Sequence, residues 1–251
     1  MKARLAAGET LVGAFANLGS ALAVEAMGVT GLDWALVDLE HGGGHEAALL
    51  GQLQAAELTG MHGLVRVESA ERARAGRALD LGAEGVMFPR IDTADEARAA
   101  IRLLHYGPEG DRGVATYNRA CAFGTRPQAI DEAAARILGI VQIESPAAVA
   151  NADVIARLDG VDVLFVGPGD LSHAMGIRGQ LQDPAFRAAL ERVVAAAEDA
   201  GKAAGILVGG APAVRGAADD GFRMIGVGSD SSLLAQAAAG VAAAARELGQ
   251  A

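Results

Sequence analysis

The chain has 251 residues, 51% of them hydrophobic and 4% aromatic, and a net charge of −10. That length suits two small domains or one α/β barrel, with a core filled by Val, Leu and Ile rather than by rings. The acidic balance excludes a nucleic-acid partner, which needs a basic face. The single cysteine, Cys121, excludes an internal disulfide and a cysteine-rich zinc site.

Residues 1–23 faintly imitate an export leader. Glu9 and Asn17 break the apolar run, and LVGAF is required as a strand, so the expected location is the cytoplasm. Eight short apolar runs then recur: LVGAFA at 11–16, DWALVDL at 33–39, HGLVRV at 62–67, GVMFP at 85–89, GIVQIE at 139–144, DVLFVG at 162–167, AAGILV at 203–208 and RMIGVG at 223–228. None alternates cleanly, which is the pattern of strands buried on both faces. Ala- and Arg-rich stretches with helical spacing separate them, among them 46–59, 70–80, 93–104, 147–157 and 184–199. This alternation predicts a (β/α)8 TIM barrel, a single domain over residues 1–251 with no internal linker. An open doubly wound sheet is the alternative. No GxGxxG follows the first strand and no GxxxxGK occurs, so nucleotide-binding versions lose support. No run of about 18 uncharged apolar residues reads as a membrane span.

Two stretches break the repeat. Residues 106–126, YGPEGDRGVATYNRACAFGTR, read as a long loop, and long loops in compact domains are often functional. From 233 to 245 only Gln236 is polar, so the last helix needs cover on every side. It is expected at a subunit interface or exchanged between subunits.

In a barrel the C-terminal strand ends build the active site. Here they carry Asp38, Glu40 and His41, then Arg66, then Arg90 and Asp92, then Gln142 and Glu144, then Gly167-Pro-Gly-Asp170. Glu144 and Asp170 stand one βα unit apart, and close carboxylates repel unless a cation or a shared proton intervenes. Oxygen-only ligation favours Mg2+ or Mn2+. On spacing alone, metal binding, helix capping and a glycosidase-like acid pair stay open. The last wants stacking aromatics, and Trp34, the one tryptophan, is expected in the core.

His41 precedes three glycines and is either a general base or a solvated loop histidine. His45 reads as a helix cap, and His62, His105 and His173 as structural or surface residues. Cys121 reads as a buried or incidental thiol. Arg66, in an apolar strand, calls for a carboxylate or an anionic ligand. Arg112 and Arg119, in the long loop, read as surface salt bridges. Glycine turns at 208–210 and 226–229 match the common phosphate position of barrels only weakly. The two lysines, Lys2 and Lys202, lie near a terminus and before a strand. That argues against an imine-forming lysine and against bound pyridoxal phosphate.

The blocks DWALVDLEH, LVRV, GAEGVMFPRIDTADEA, DRGVAT, VQIESPAAVAN, DVLFVGPGDLSHAMG and GILV stand in an order that resembles the HpcH/HpaI aldolases, metal-dependent class II pyruvate aldolases, over residues 11–248. The resemblance implies a phosphoenolpyruvate/pyruvate-type barrel whose last helix is exchanged between subunits, usually in a homohexamer. It implies reversible cleavage of a 4-hydroxy-2-oxo acid to pyruvate or hydroxypyruvate and an aldehyde, through a metal-stabilised enolate. It implies Glu144 and Asp170 as ligands of a divalent ion, Arg66 at the keto oxygen, His41 in proton transfer, and Asp80 as the acid paired with it from a neighbouring subunit. Asp38 and Gln142 match active-site positions. The amides of Gly169 and Asp170 match those holding the substrate carboxylate, and Leu207 matches a position on the aldehyde side. Arg90 departs from the pattern, standing where some branches carry an apolar residue. A CoA-thioester lyase of the citrate- and malyl-CoA lyase type is the alternative. A phosphosugar isomerase and a non-catalytic sensor barrel are more distant ones. The expected partners are a small 2-oxo acid, an aldehyde and further copies of the chain, with no nucleic acid and no membrane.

Overall fold

An apolar run too short for a helix is best buried between two covered faces, and all eight runs are placed so. In the computed structural model, which describes residues 1–248, they form β1 (Leu11–Ala16), β2 (Trp34–Asp38), β3 (His62–Arg66), β4 (Gly85–Phe88), β5 (Leu138–Ile143), β6 (Val163–Val166), β7 (Ala203–Val208) and β8 (Met224–Ser229). Neighbours pair in parallel and in chain order, and β8 closes on β1 to complete the barrel. The expected boundaries slip by a residue or two. Leu39, Pro89, Glu144 and Gly167 lie just past the strands to which the apolar pattern joined them.

Strand alternation sends Phe15, Trp34, Leu36, Leu64, Met87, Ile140 and Phe165 into the barrel, where they form one buried cluster. Leu5, on the short helix Lys2–Ala6, joins that cluster and closes the N-terminal end. The outer strand faces pack under helices such as Glu46–Thr59, Arg72–Asp80, Ala94–Arg102 and Pro184–Asp199. Trp34 lies in the core as expected, its Nε1 donating to the Leu11 carbonyl oxygen at 3.3 Å. It fits because Gly13, its β1 neighbour, has no side chain: a Cβ there would lie 2.2 Å from the indole.

The helix expected over 147–157 is instead two, Pro146–Ala150 and Ala152–Ala156. They part at Asn151, whose side-chain amide donates to the Asp92 carbonyl oxygen at 2.8 Å. Residues 106–126 are irregular apart from an isolated β-bridge between Tyr106 and Arg112 and a 3-10 turn, Arg119–Gly124. The last helix, Asp230–Leu248, packs Leu233 against the core but is exposed at every position from 234 to 248, so among the described residues nothing covers the apolar surface of that stretch. No helix among the described residues is long and apolar enough to cross a membrane.

Candidate active site

The inward positions change character along the barrel axis. On β2 they run Trp34, Leu36, Asp38; on β3, Leu64, Arg66; on β5, Leu138, Ile140, Gln142, with Glu144 next beyond the strand. The period of two that builds the apolar floor therefore delivers four buried polar side chains to the mouth.

Asp38 and Arg66 are register partners across β2 and β3. Arg66 Nη2 donates to Asp38 Oδ2 at 2.7 Å and Nε to Oδ1 at 3.0 Å, a two-pronged pair. The guanidinium carbon sits 5.1 Å from the centre of the Phe15 ring. Nη1 reaches Glu40 Oε2 at 3.2 Å and Gln142 Oε1 at 3.4 Å. Burial opposes ionisation of Asp38, but hydrogen bonds and charge from Arg66 outweigh it and hold the carboxyl below its ordinary value. Asp38 Oδ1 also accepts the N–H groups of Glu40 and His41 at 3.1 and 3.2 Å, which pins the loop carrying His41.

Glu144 is 8% exposed. Its Oε1 accepts from Gln142 Nε2 at 2.6 Å and its Oε2 from the Arg90 N–H at 3.2 Å. Burial first, then the negative charges of Asp170 and Glu40, push its pKa up to about 7. Gly167 leaves the carboxylate its space, since a Cβ there would lie 2.6 Å from Oε1. Capping does not account for either acid. Ser145 caps Pro146–Ala150, accepting from the Ala148 N–H at 3.0 Å, and Gly167 holds the cap position of Pro168–Ala174.

A cavity of about 370 Å3 opens over this layer, lined by Phe15, Asp38, Arg66, Gln142, Gly169 and Leu207. A second, of about 280 Å3, is lined by Glu40, Arg90, Asp92 and His173. His41, Glu144 and Asp170 line both. The expected His41, Arg66, Gln142, Glu144, Gly169, Asp170 and Leu207 thus converge on one mouth. The His41 side chain is 68% exposed, with Nε2 3.8 Å from Glu40 Oε2. Asp80 stands apart. It ends the helix Arg72–Asp80, which runs back from β3 toward the N-terminal end of the barrel, and there Arg112 Nη2 holds it at 2.9 Å.

Several residues differ from their sequence reading. Arg112 is buried, not a surface salt bridge, whereas Arg119 does pair with Glu57. His45 occupies a cap position but bonds no backbone N–H. His173 lines the second cavity. Glu40 and the backbone of Arg90 belong to the site, and no local signal marks the latter, a non-glycine residue at φ 54°. Asp230 accepts the N–H groups of Asn17 and Leu18 at 3.0 and 3.2 Å. A fixed negative charge therefore stands beside the glycine turn at 226–229, which disfavours phosphate there. Among the described residues no three His, Cys, Asp or Glu side chains gather as a metal cage. Glu144 and Asp170 are the two carboxylates that line both cavities, and a pair of carboxylates would leave most coordination positions of a divalent ion to water and substrate.

A closed parallel barrel with charged residues gathered at its C-terminal mouth has the (β/α)8 architecture, in which enzymes of this fold place their active sites at that face. The family model described as HpcH/HpaI aldolase/citrate lyase matches residues 11–237. The hydroxypyruvate/pyruvate aldolase of Delftia acidovorans is 42% identical over 238 residues, covering 94% of this chain and 88% of that one. The 5-keto-4-deoxy-D-glucarate aldolase of Salmonella paratyphi C is 37% identical over 229 residues, covering 91% and 90%. The crystal structure of an HpcH/HpaI aldolase/citrate lyase family protein from Burkholderia cenocepacia J2315 matches with a TM-score of 0.93 at 39% identity, covering 98% of each chain. The chain belongs to the HpcH/HpaI aldolase/citrate lyase family. The expected enzyme class, an aldolase, stands, because curated relatives along nearly its whole length carry aldolase names. The CoA-thioester lyase alternative has the weaker support.

Proposed function

We propose that the protein reversibly cleaves a 4-hydroxy-2-oxo acid to an aldehyde and pyruvate or hydroxypyruvate, through an enolate formed at the barrel mouth. The observation that carries this reading is Glu144, a buried carboxylate pushed to about 7 by burial and by neighbouring acids. A divalent cation such as Mg2+ or Mn2+, held by Glu144 and Asp170, fits that deficit of positive charge and when bound supplies Lewis-acid polarisation of the keto group. The relatives named for hydroxypyruvate/pyruvate and for 5-keto-4-deoxy-D-glucarate support a 2-oxo acid as the donor.

The side chains divide the remaining work. Arg66 is fixed by Asp38 and Phe15 and donates to the keto oxygen as negative charge develops there. Gln142 bridges Arg66 and Glu144, keeping the two in one orientation. The amides of Gly169 and Asp170, in the first turn of Pro168–Ala174, have no intrahelical partners and take the substrate carboxylate. His41 accepts the 4-hydroxyl proton as the C3–C4 bond breaks and delivers a proton to the enolate carbon after the aldehyde departs, so the same imidazole serves exchange at the pyruvate methyl group. Leu207 lines the aldehyde side. Asp80 orients His41 from a neighbouring subunit. The exposed helix Asp230–Leu248 exchanges onto a neighbour within a homohexamer, in the cytoplasm.

An imine route has no lysine to use. Lys2 is bound at the N-terminal end by Asp162 at 3.1 Å, and Lys202 precedes β7. Exhaustive chelation should abolish cleavage of a 4-hydroxy-2-oxo acid, and Mg2+ or Mn2+ should restore it. Full-rate cleavage by metal-stripped protein sinks the reading. A panel of aldehydes offered with pyruvate and with hydroxypyruvate then defines the acceptor.

A further inference from the structure

The long loop at 106–126 has no part in the mouth of its own barrel, yet its ties are specific. It is fastened to the C-terminal end of the helix Arg72–Asp80 by two arginines. Arg112 Nη2 donates to Asp80 Oδ1 at 2.9 Å, and Arg119 Nη1 donates to the Leu81 carbonyl oxygen at 2.9 Å. Both place positive charge at the negative end of that helix. Gly82, which follows, has no side chain to obstruct them: a Cβ there would lie 2.1 Å from Arg119 Nη1.

Arg112 is the unusual member. Its side chain is 2% exposed while that of Asp80 is 33% exposed. Its guanidinium carbon lies 4.5 Å from the centre of the Tyr106 ring, and Tyr106 and Arg112 form a β-bridge across the loop. The Arg112 Nε has no partner among the described residues. Asp80 is therefore the carboxylate that answers this buried cation, and ring and bridge fix where the cation sits. The arrangement holds one Asp80 oxygen from behind. Oδ2 accepts no hydrogen bond among the described residues, and the Asp80 side chain is the more exposed member of the pair.

We propose that Arg112 is a positioning residue for catalysis in the neighbouring subunit: it fixes the Asp80 carboxylate so that its free oxygen meets the incoming His41 imidazole. This rests on the reading of Asp80 as the trans partner of His41. Without the anchor, Asp80 keeps its place on the helix but samples several rotamers, and the imidazole loses a fixed orientation. The long loop then serves as the frame of a site it does not line.

The test is a double-mutant cycle with Asp80→Asn, Arg112→Met and the two together, on the assembled, metal-loaded protein. It follows deuterium exchange at the pyruvate methyl group, KM for pyruvate, metal affinity, subunit mass and Tm. Arg112→Met should slow exchange by about ten- to a hundredfold with KM and metal affinity unchanged, and should cost no more than about twofold when Asp80 is already Asn. Arg112→Lys keeps the charge without the planar fork and should recover part of the rate. It replaces Arg112→Met in the cycle if that variant does not assemble. An equal loss in both backgrounds, or a lower Tm with exchange unchanged, makes Arg112 a structural anchor only and overturns the proposal. Wild-type exchange in Asp80→Asn removes the Asp80 reading itself, and the proposal with it. Slow exchange in Asp80→Asn beside wild-type exchange in Arg112→Met removes the proposal alone.

Discussion

Each end of the barrel has a cavity, and the larger one is not at the mouth. Near the N-terminal end a space of about 860 Å3 is lined by Lys2, Arg102, His105, Tyr106, Asp131 and Arg157. The central cavity at the mouth is less than half as large, about 370 Å3. The charges differ more than the volumes. At the lower end Lys2 donates to the carbonyl oxygens of Ala134 and Ile137 and pairs with Asp162, while Arg102 grips Asp111 through two bonds of 2.8 Å. Burial and the Lys2 charge lower the pKa of His105, which favours its neutral form. At the mouth a buried glutamate faces two further acids. Unmet charge, rather than volume, marks where chemistry can be done.

That contrast breaks most readily by mutation at each end. Glu144→Ala should remove metal uptake and lower kcat/KM on the order of a thousandfold, ~4 kcal/mol. Arg157→Ala, in the larger cavity, should stay within about twofold. Steady-state kinetics and calorimetric metal titration check both, and comparable losses at the two ends dissolve the distinction. Gly167→Ala is the next largest. Its new methyl group would press on Glu144 Oε1 from 2.6 Å and must displace the carboxylate. Metal affinity should fall by about ten- to a hundredfold while Tm changes little. Unaltered affinity would mean that Glu144 ligates no metal from this position.

The sequence made one of these ends legible and the other nearly invisible. Strands covered on both faces read as unbroken apolar runs, so all eight are apparent, and the charged residues at their C-terminal ends stand out against them. Spacing could not exclude helix capping by Glu144 and Asp170. That needed the cap positions to be filled by Ser145 and Gly167. The break at Asn151 depends on a carbonyl group of Asp92, far back in the chain. The Asp80–Arg112 pair spans 32 residues and two elements, so periodicity carries no trace of it. What sequence patterns miss here are bonds from side chains to distant backbone, and pairs that exist only once the barrel has closed.

Protons offer a finer measure of the charge deficit. Glu144 rises from 4.5 to about 7 on folding, so between those values the folded metal-free protein binds more protons than the unfolded chain. Its stability should therefore fall as pH rises across that window, by about 3 kcal/mol in all from this group. Glu144→Gln should remove this part of the pH dependence, as followed by urea unfolding from pH 4.5 to 8. Metal uptake needs the carboxylate, so at pH 6 it should release close to one proton, and at pH 8.5 almost none. Calorimetry in buffers of different ionisation enthalpy reads that number. Proton release that does not change with pH would remove the shifted glutamate from the metal site.

The smallest effect asks whether Arg90 serves the mouth through its backbone or its side chain. Its φ of 54° lies in the left-handed region, and its N–H donates to Glu144 Oε2 at 3.2 Å. Holding a side chain there costs about 1–2 kcal/mol. Glycine removes that strain but adds about 0.4–1 kcal/mol of entropy to the unfolded chain. Arg90→Gly should therefore gain only about 0.5 kcal/mol, a rise in Tm of ~1–2 °C, and should leave metal affinity intact because the N–H remains. Arg90→Pro deletes the N–H and forces φ to the opposite sign, and it should weaken metal binding as Gly167→Ala does. If Arg90→Gly loses the metal instead, the guanidinium holds the site, and the departure from the family pattern at this position bears on the chemistry itself rather than on the aldehyde alone.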